Sequence, residues 1–510
     1  MNDSKNSLTK FTNSVIPFLS IGIFIFYIVN NVKNNIYEIL FIDERMLIDD
    51  IYNIWLVEDI YNRFTNITNQ TLKNFLIVFI ELAYGGDLRY GRLWSNLFTI
   101  LVGPFTLIND TVVILLSRFL NSLLFFSGAY YLSKFLVDRK YLWISVFSIY
   151  SFASVEFIHR VPKPDPMVIL FIAIGLKFLN QEKYYQSIFF LALASFLKIN
   201  AIVVFFFIWI YIFFKSNEKK IRLIFKTIGI TLSSLIIVNP ILIIPPLSIG
   251  GNQIPNFYKI YLNWLTTQGS NSDDVQFDIS YSMNWIDELS FFYKFPNEYL
   301  FFGFITIALF YVSREIIISS DNLSKYLLII FYFYIFFYFF FIERAWTHYL
   351  HLPFSLLLIG FLRILKNKVN VYTPIIFIIA ISLIGNFSNI DRFINDKTFN
   401  MNDRLDYVSV ETQKDAEELV KKLVTKIQLI YDENDNLNKN LVYWHPDLIQ
   451  PRNKVTYDGE FYVREYWGDK NNVSFALSEA DVFVTYTNYE TQPNIRKLKI
   501  DNFYIYFYEN

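Results

Sequence analysis

Residues 14–32 read SVIPFLSIGIFIFYIVNNV, an apolar run without a single charge. At about 1.5 Å per residue, a helix over this run is close to the roughly 30 Å of a bilayer's hydrocarbon core. The run is longer than a signal-peptide core, and no small-residue cleavage site follows it, so it reads as an uncleaved first membrane span. Directly beyond it comes FIDERMLIDD (41–50), with Asp43-Glu44 and Asp49-Asp50 packed into ten residues. Carboxylates placed at a membrane surface lose part of their hydration and need a partner or a purpose.

Outward from this block the same alternation repeats. Of 510 residues, 54% are hydrophobic and 20% aromatic, and the apolar residues fall in long blocks between short charged loops. Further spans are expected at about 111–137, 141–158, 166–180, 184–198, 199–214, 223–246, 299–318, 325–342, 348–364 and 372–388. The expected fold is an α-helical polytopic membrane protein with about 11 transmembrane helices. Leu93 to Ile108, broken by Gly103-Pro104, reads as an interfacial or re-entrant piece. Phe-rich runs such as FYFYIFFYFFF (331–341) read as lipid-facing filler.

Basic residues test the topology. Lys5/Lys10, Lys134/Arg139/Lys140, Lys177/Lys183, Lys215 to Arg222, Arg314/Lys325 and Arg363 to Lys368 fall in alternate loops. The positive-inside rule puts all of these in the cytoplasm. The opposite face then carries the acid-rich loop, HRVPKPDP (159–166), the 247–298 segment, ERAWTH (343–348) and the C-terminus. Within the first outer loop, about 33–92, amphipathic stretches read as interfacial helices. A transmembrane domain over 1–388 is thus followed by a small extracytoplasmic α/β domain over 389–510. There a helix is expected over 412–430, and strands at LVYW (441–444), EFYV (460–463), ADVFVTYT (480–487) and FYIYFY (503–508).

With 45 Lys+Arg against 46 Asp+Glu the net charge is −1, so no basic excess points to nucleic acid. Cysteine is absent, which excludes disulfides and thiolate metal sites. No Walker sequence, dinucleotide loop or nucleophile elbow occurs.

Four outer motifs could carry chemistry. Asp43, with Glu44 beside it, is suited to deprotonating a hydroxyl, although a solvated loop acid is the plainer reading. Asp49 and Asp50 are expected to cap a helix near Ile51. In HRVPKPDP, Asp165 is expected to N-cap the fourth span with Pro166 at its first position. Arg160 and Lys163 run against the topology rule and suit a bound phosphate. Lys198, between two very apolar stretches, sits at an outer turn if the flanking helices are separate, and snorkelling is its plainer reading. ERAWTHYLHLPF (343–354) gathers Glu343, Arg344, His348, Tyr349 and His351. His348 and His351 have a metal-like spacing but no third ligand in register, and an aromatic belt accounts for Trp346 and Tyr349.

Together these motifs resemble the GT-C superfamily of membrane glycosyltransferases, nearest the protein-mannosyltransferase and aminoarabinose-transferase (glycosyltransferase family 39-like) type. The likeness runs over about 14–388. Asp43-Glu44 stands where that superfamily has its acidic motif, Arg160 to Asp165 where it has a second outer loop, and Lys198 in LALASFLK where it has a turn lysine. Arg344 to Pro353 is similar to the Arg/His/Tyr-rich mouth of a late span. YGRLWSNL (90–97) departs from the Pro-Pro-Leu sequence often found in relatives.

The resemblance implies transfer of a sugar from a polyprenyl-phosphate donor to a protein, lipid or glycan hydroxyl, by single displacement with inversion. Asp43 would be the base, with Glu44 and Asp165 as further catalytic acids. Arg160, Lys163, Lys198, Arg344, His348 and Tyr349 would hold the donor phosphate. It implies no cofactor, with a divalent metal left open, and an active face outside the cytoplasm. The short loops and the absence of a long inter-span domain point to a bacterial cytoplasmic membrane. Two rivals are a multi-span transporter or flippase of lipid-linked envelope precursors, and a non-catalytic envelope scaffold. The first would usually show repeat symmetry and midplane charges, and the second leaves the shared sidedness of the motifs unexplained.

Overall fold

A computed structural model describes residues 2–33, 39–40, 47–48, 51, 92–108, 110–239, 278–342, 347–365, 371–395, 413–434, 437, 441–444, 450–451, 462–465, 473–490, 493–501 and 503–508. Helix α1 (Asn2–Lys33) contains the opening apolar run and is followed by a two-residue strand, β1 (Ile39–Leu40). Then come α2 (Arg92–Val102), α3 (Asp110–Leu136), α4 (Leu142–Ile149), α5 (Val155–Arg160), α6 (Asp165–Asn180), α7 (Tyr184–Leu197) and α8 (Ile202–Lys215). The helical series continues with α9 (Lys220–Val238), α10 (Ser280–Phe292), α11 (Glu298–Ile318), α12 (Asn322–Phe341), α13 (His351–Leu365) and α14 (Tyr372–Asn395).

Seven stretches among the described residues are long and apolar enough to cross a membrane: Ser14–Asn31, Val112–Leu136, Lys220–Val238, Glu298–Ile318, Asn322–Phe341, Thr347–Leu365 and Thr373–Ile394. The other four expected spans are shorter. Helix α6 has 16 residues, and α7 and α8 have 14 each. At 1.5 Å per residue these reach only about 21–24 Å. The expected span at 141–158 is not continuous, because α4 ends at Ile149 and α5 starts at Val155, with Ser154 at φ 64° between them. The break survives in an apolar setting because its backbone groups find partners. Asn386 of α14 donates from Nδ2 to Phe147 O at 3.0 Å, and Asn389 donates to Tyr150 O and Phe152 O, both at 3.0 Å. Gly385 lets α14 come this close, since a Cβ there would run into the Ser151 carbonyl.

Residues 92–107 form α2 and a 3-10 turn over Gly103–Leu107 that packs against α3. The best-packed helices are α3, α6 and α7, with α9 laid against α7 and α12 against α13. Large apolar side chains point outward from the bundle, among them Phe206, Phe225, Ile307 and Phe310. An exposed apolar exterior is what a lipid-facing surface requires.

The C-terminal unit comprises α15 (Gln413–Glu433), β2 (Leu441–Trp444), β3 (Gln450–Pro451), β4 (Tyr462–Glu465), α16 (Val473–Glu479), β5 (Val482–Thr485), β6 (Ile495–Ile500) and β7 (Phe503–Tyr508). Five strands form a mixed sheet in the order β4-β2-β5-β7-β6, parallel on either side of β2 and antiparallel on either side of β7. Leu419, Leu423, Ile427 and Ile430 of α15 pack on one face against Val442, Trp444 and Val484. Helix α16 covers Phe483 and Tyr506 on the other face. Strand β1 pairs antiparallel with β3, Ile39 opposite Pro451, which ties the chain just beyond α1 to this unit.

Candidate functional site

Val161 to Pro164 connects α5 to α6 and contains two prolines, so Lys163 supplies the one backbone N–H between them. That N–H donates to Asn121 Oδ1 at 3.2 Å. Asn121 in turn donates from Nδ2 to Ile158 O at 2.6 Å and to Val161 O at 3.3 Å. From the other side Asn31 of α1 donates to His159 O at 3.0 Å, and Tyr27 stacks on the His159 ring with centroids 4.3 Å apart. Asn121 lies 11 residues inside α3, so the loop it holds is recessed by roughly 16 Å from that helix's first residue. The loop is therefore not a surface turn, and Lys163 is only 3% exposed.

Asp165 does not cap α6, contrary to the expectation from sequence. Pro164 holds the cap position in helical conformation, no side chain caps the helix, and Asp165 is already in its first turn. Its carboxylate is used elsewhere, accepting from Lys198 Nζ at 2.8 and 2.7 Å through both oxygens. The helix N-terminus also favours a negative charge at Asp165. Lys198 reaches it because the chain breaks between α7 and the 3-10 turn Ile199–Ala201, leaving Lys198 extended at φ −149°. Two separate helices flank Lys198, as the loop alternation predicts.

The third strip of the site is the 3-10 turn Thr347–Leu350 ahead of α13. His348 Nε2 lies 3.4 Å from Lys163 Nζ, which also sits 4.4 Å above the Phe157 ring. Lys198 Nζ lies 4.8 Å from the centre of the Tyr349 ring. Tyr338 stacks on Tyr349 with centroids 5.8 Å apart, and its hydroxyl lies 3.5 Å from Asn200 Nδ2. Tyr334 fixes the turn after Lys198 by donating to Asn200 O at 2.6 Å. The turn itself is held by a Thr347–Ser154 hydroxyl contact, while His351 Nε2 lies 2.5 Å from Ala153 O.

Three segments far apart in sequence thus bring Lys163, Asp165, Lys198, His348 and Tyr349 together. Asp43, Glu44, Asp49, Asp50, Glu343, Arg344 and Trp346 lie outside the described residues, as does the side chain of Arg160, whose backbone ends α5. Between and just after the two acid pairs, Leu47, Ile48 and Ile51 are buried in the main apolar core. Sequence reasoning passed over Asn121, Asn200 and Tyr338, and also Arg118, which is 1% exposed one turn before Asn121. The available signal was a cation and an amide inside an apolar span, SRFLNS. Among the described residues no three His, Cys, Asp or Glu side chains are grouped to hold a metal ion.

The described site offers two ammonium groups, a carboxylate, an imidazole and a phenol in one largely buried cluster. A paired, desolvated Lys–Asp couple next to a second Lys suits recognition of an anionic oxygen more than proton abstraction, because Asp165 is already committed to Lys198. In comparisons with known proteins the chain matches no family model, no curated protein and no solved structure.

Proposed function

We propose that this chain is a membrane glycosyltransferase of GT-C type, taking a polyprenyl-phosphate-linked sugar and transferring it to an acceptor hydroxyl outside the cytoplasm. The observation that carries the reading is the meeting of Lys163, Asp165, Lys198, His348 and Tyr349 at the end of the bundle where α1 terminates. In this reading α4–α5, α6, α7 and α8 are short crossings that complete about eleven spans and leave the site recessed. The C-terminal unit lies on the same side, in keeping with the pairing of β1 and β3.

The chemistry is a single displacement. The bond between the sugar's anomeric carbon and the phosphate oxygen breaks, and its electron pair leaves with the phosphate. The acceptor oxygen bonds to the opposite face of that carbon, and its proton passes to the Asp43 carboxylate. Lys198 and Lys163 stabilise the charge that develops on the leaving phosphate, with Tyr349 and His348 lining its place. Removing one such preorganised group typically slows turnover by about 10²–10³.

The test is incubation of the purified full chain, in nanodiscs, with a panel of polyprenyl-phosphate monosaccharides, reading release of polyprenyl phosphate and sugar transfer. Turnover of at least one donor is expected, and Asp43→Asn should abolish it while donor binding persists. Folded protein that neither binds nor turns over any donor would overturn the reading, and full activity in Asp43→Asn would remove its catalytic half.

A further inference from the structure

At the end of the bundle opposite the Lys198 site, a groove of about 590 Å³ opens between α7 and α9. Tyr185, near the start of α7, is 13 residues from Lys198 and so about 20 Å along the helix axis from it. Tyr185 and Phe189 form one wall, and Lys226, Gly229 and Ile230 form the other. The groove is open at Gly229, where a Cβ would meet nothing within 4 Å. The outer flanks of α9 are apolar and exposed, with Phe225 71% and Leu232 54% accessible, so the groove faces what would be lipid.

Its mouth is cationic. Between residues 215 and 226 lie Lys215, Lys219, Lys220, Arg222 and Lys226 against the single acid Glu218, with Glu182 pairing Lys215 at 3.1 Å. Glu218 accepts from Lys226 at 3.0 Å and Arg222 at 3.2 Å, and also from the Tyr185 hydroxyl. One carboxylate thus serves two cations, whose side chains are still 39% and 69% exposed. Lys226 lies six residues, or about 9 Å, inside α9, and its ammonium reaches back to Glu218 ahead of the helix.

We propose that this groove is a binding site for an anionic glycerophospholipid of the adjoining leaflet. One acyl chain lies along Phe189, Gly229 and Ile230, and the phosphate meets Lys226 and Arg222. The apolar channel and the charge at its mouth match the two halves of such a molecule. A zwitterionic lipid brings a cation of its own beside the phosphate and loses most of the attraction to the surplus positive charge. This inference is independent of the transferase reading, because it concerns the other end of the bundle.

The test is native mass spectrometry of the full chain with phosphatidylglycerol and phosphatidylcholine of identical acyl chains at equal concentration. Each cation near a phosphate is worth about a fivefold preference, so phosphatidylglycerol adducts should exceed phosphatidylcholine adducts by roughly 5- to 25-fold. The double variant Arg222→Gln/Lys226→Gln should bring the ratio near one. Gly229→Phe, placed in open space, should deplete adducts of both lipids while leaving the elution profile and thermal midpoint unchanged. Equal binding of the two lipids by the wild type, an unchanged ratio in the double variant, or undiminished phosphatidylglycerol binding by Gly229→Phe would each overturn the proposal.

Discussion

At the residue scale the molecule turns on Lys198 and Asp165, with side chains 9% and 13% exposed. Two charges this dry are tolerable because each neutralises the other, and removing one strands its partner. Lys198→Met should therefore destabilise the protein by about 3–5 kcal/mol. Lys198→Met/Asp165→Asn should recover most of that loss, and thermal unfolding in detergent of the two singles and the double measures the coupling. If the double variant is no more stable than Lys198→Met, the pair is not the coupled unit described. Asn121 is the second critical residue, since three hydrogen bonds hold the recessed loop to α3 through one amide. Asn121→Ala should cost about 1–3 kcal/mol by leaving buried backbone groups without partners. It should also weaken donor binding, and normal binding in a destabilised Asn121→Ala would show that the loop's position is irrelevant to the site.

At the element scale, glycines report where helices touch. A Cβ at Gly175 of α6 would come within 2.8 Å of Leu191 Cγ on α7, and one at Gly385 would strike the backbone of the broken α4–α5 segment. A leucine side chain has rotamers with which to yield, but a backbone carbonyl held in place by packing does not. Gly385→Ala should accordingly destabilise more than Gly175→Ala, by about 1–3 kcal/mol or more in total. Gly303→Ala on α11, where a Cβ meets nothing within 4 Å, should be neutral or stabilising by up to about 1 kcal/mol. Melting temperatures of the three purified variants check the order, and equal effects would contradict the packing of α14 on the break. The same comparison shows why the 141–158 stretch was unreadable as two pieces. Its apolar content is that of a span, and the asparagines that stabilise its interruption lie more than 200 residues away in α14.

At the scale of the whole molecule, the end opposite the site is tied by Arg363. Its guanidinium donates to both oxygens of Asp321, at 2.7 and 3.3 Å, and to Leu136 O at 2.9 Å, joining α3, α12 and α13. Burial pushes the Asp321 carboxyl upward, but hydrogen bonds from Arg363 and Ser324, with the Arg363 charge, outweigh it and leave the net value lowered. A group whose folded value is depressed stabilises the fold above its unfolded value and loses that contribution as pH falls through the folded one. The melting temperature should therefore drop on acidification below about pH 4, and Asp321→Asn should be less stable at neutral pH with a shallower acid limb. Superimposable acid limbs for wild type and Asp321→Asn would refute this assignment.

The sequence alone determined the helical, membrane-type character and the C-terminal α/β unit, because apolar run length and two-residue alternation are local properties. Strands β2 and β7 fall on the residues expected, whereas IRKLKI (495–500) was missed because an edge strand rich in Lys and Arg carries little apolar signal. Lys163 and Lys198 stand out singly as cations in the wrong place, whereas Asp165 reads as a helix cap and Tyr349 as part of an aromatic belt. Only the tertiary structure decided that Asp165 serves Lys198 instead of capping its own helix, and that the loop bearing Lys163 is sunk into the bundle. The reason is physical: a buried charge is satisfied by whichever partner packing brings near, and that partner need not be close in sequence.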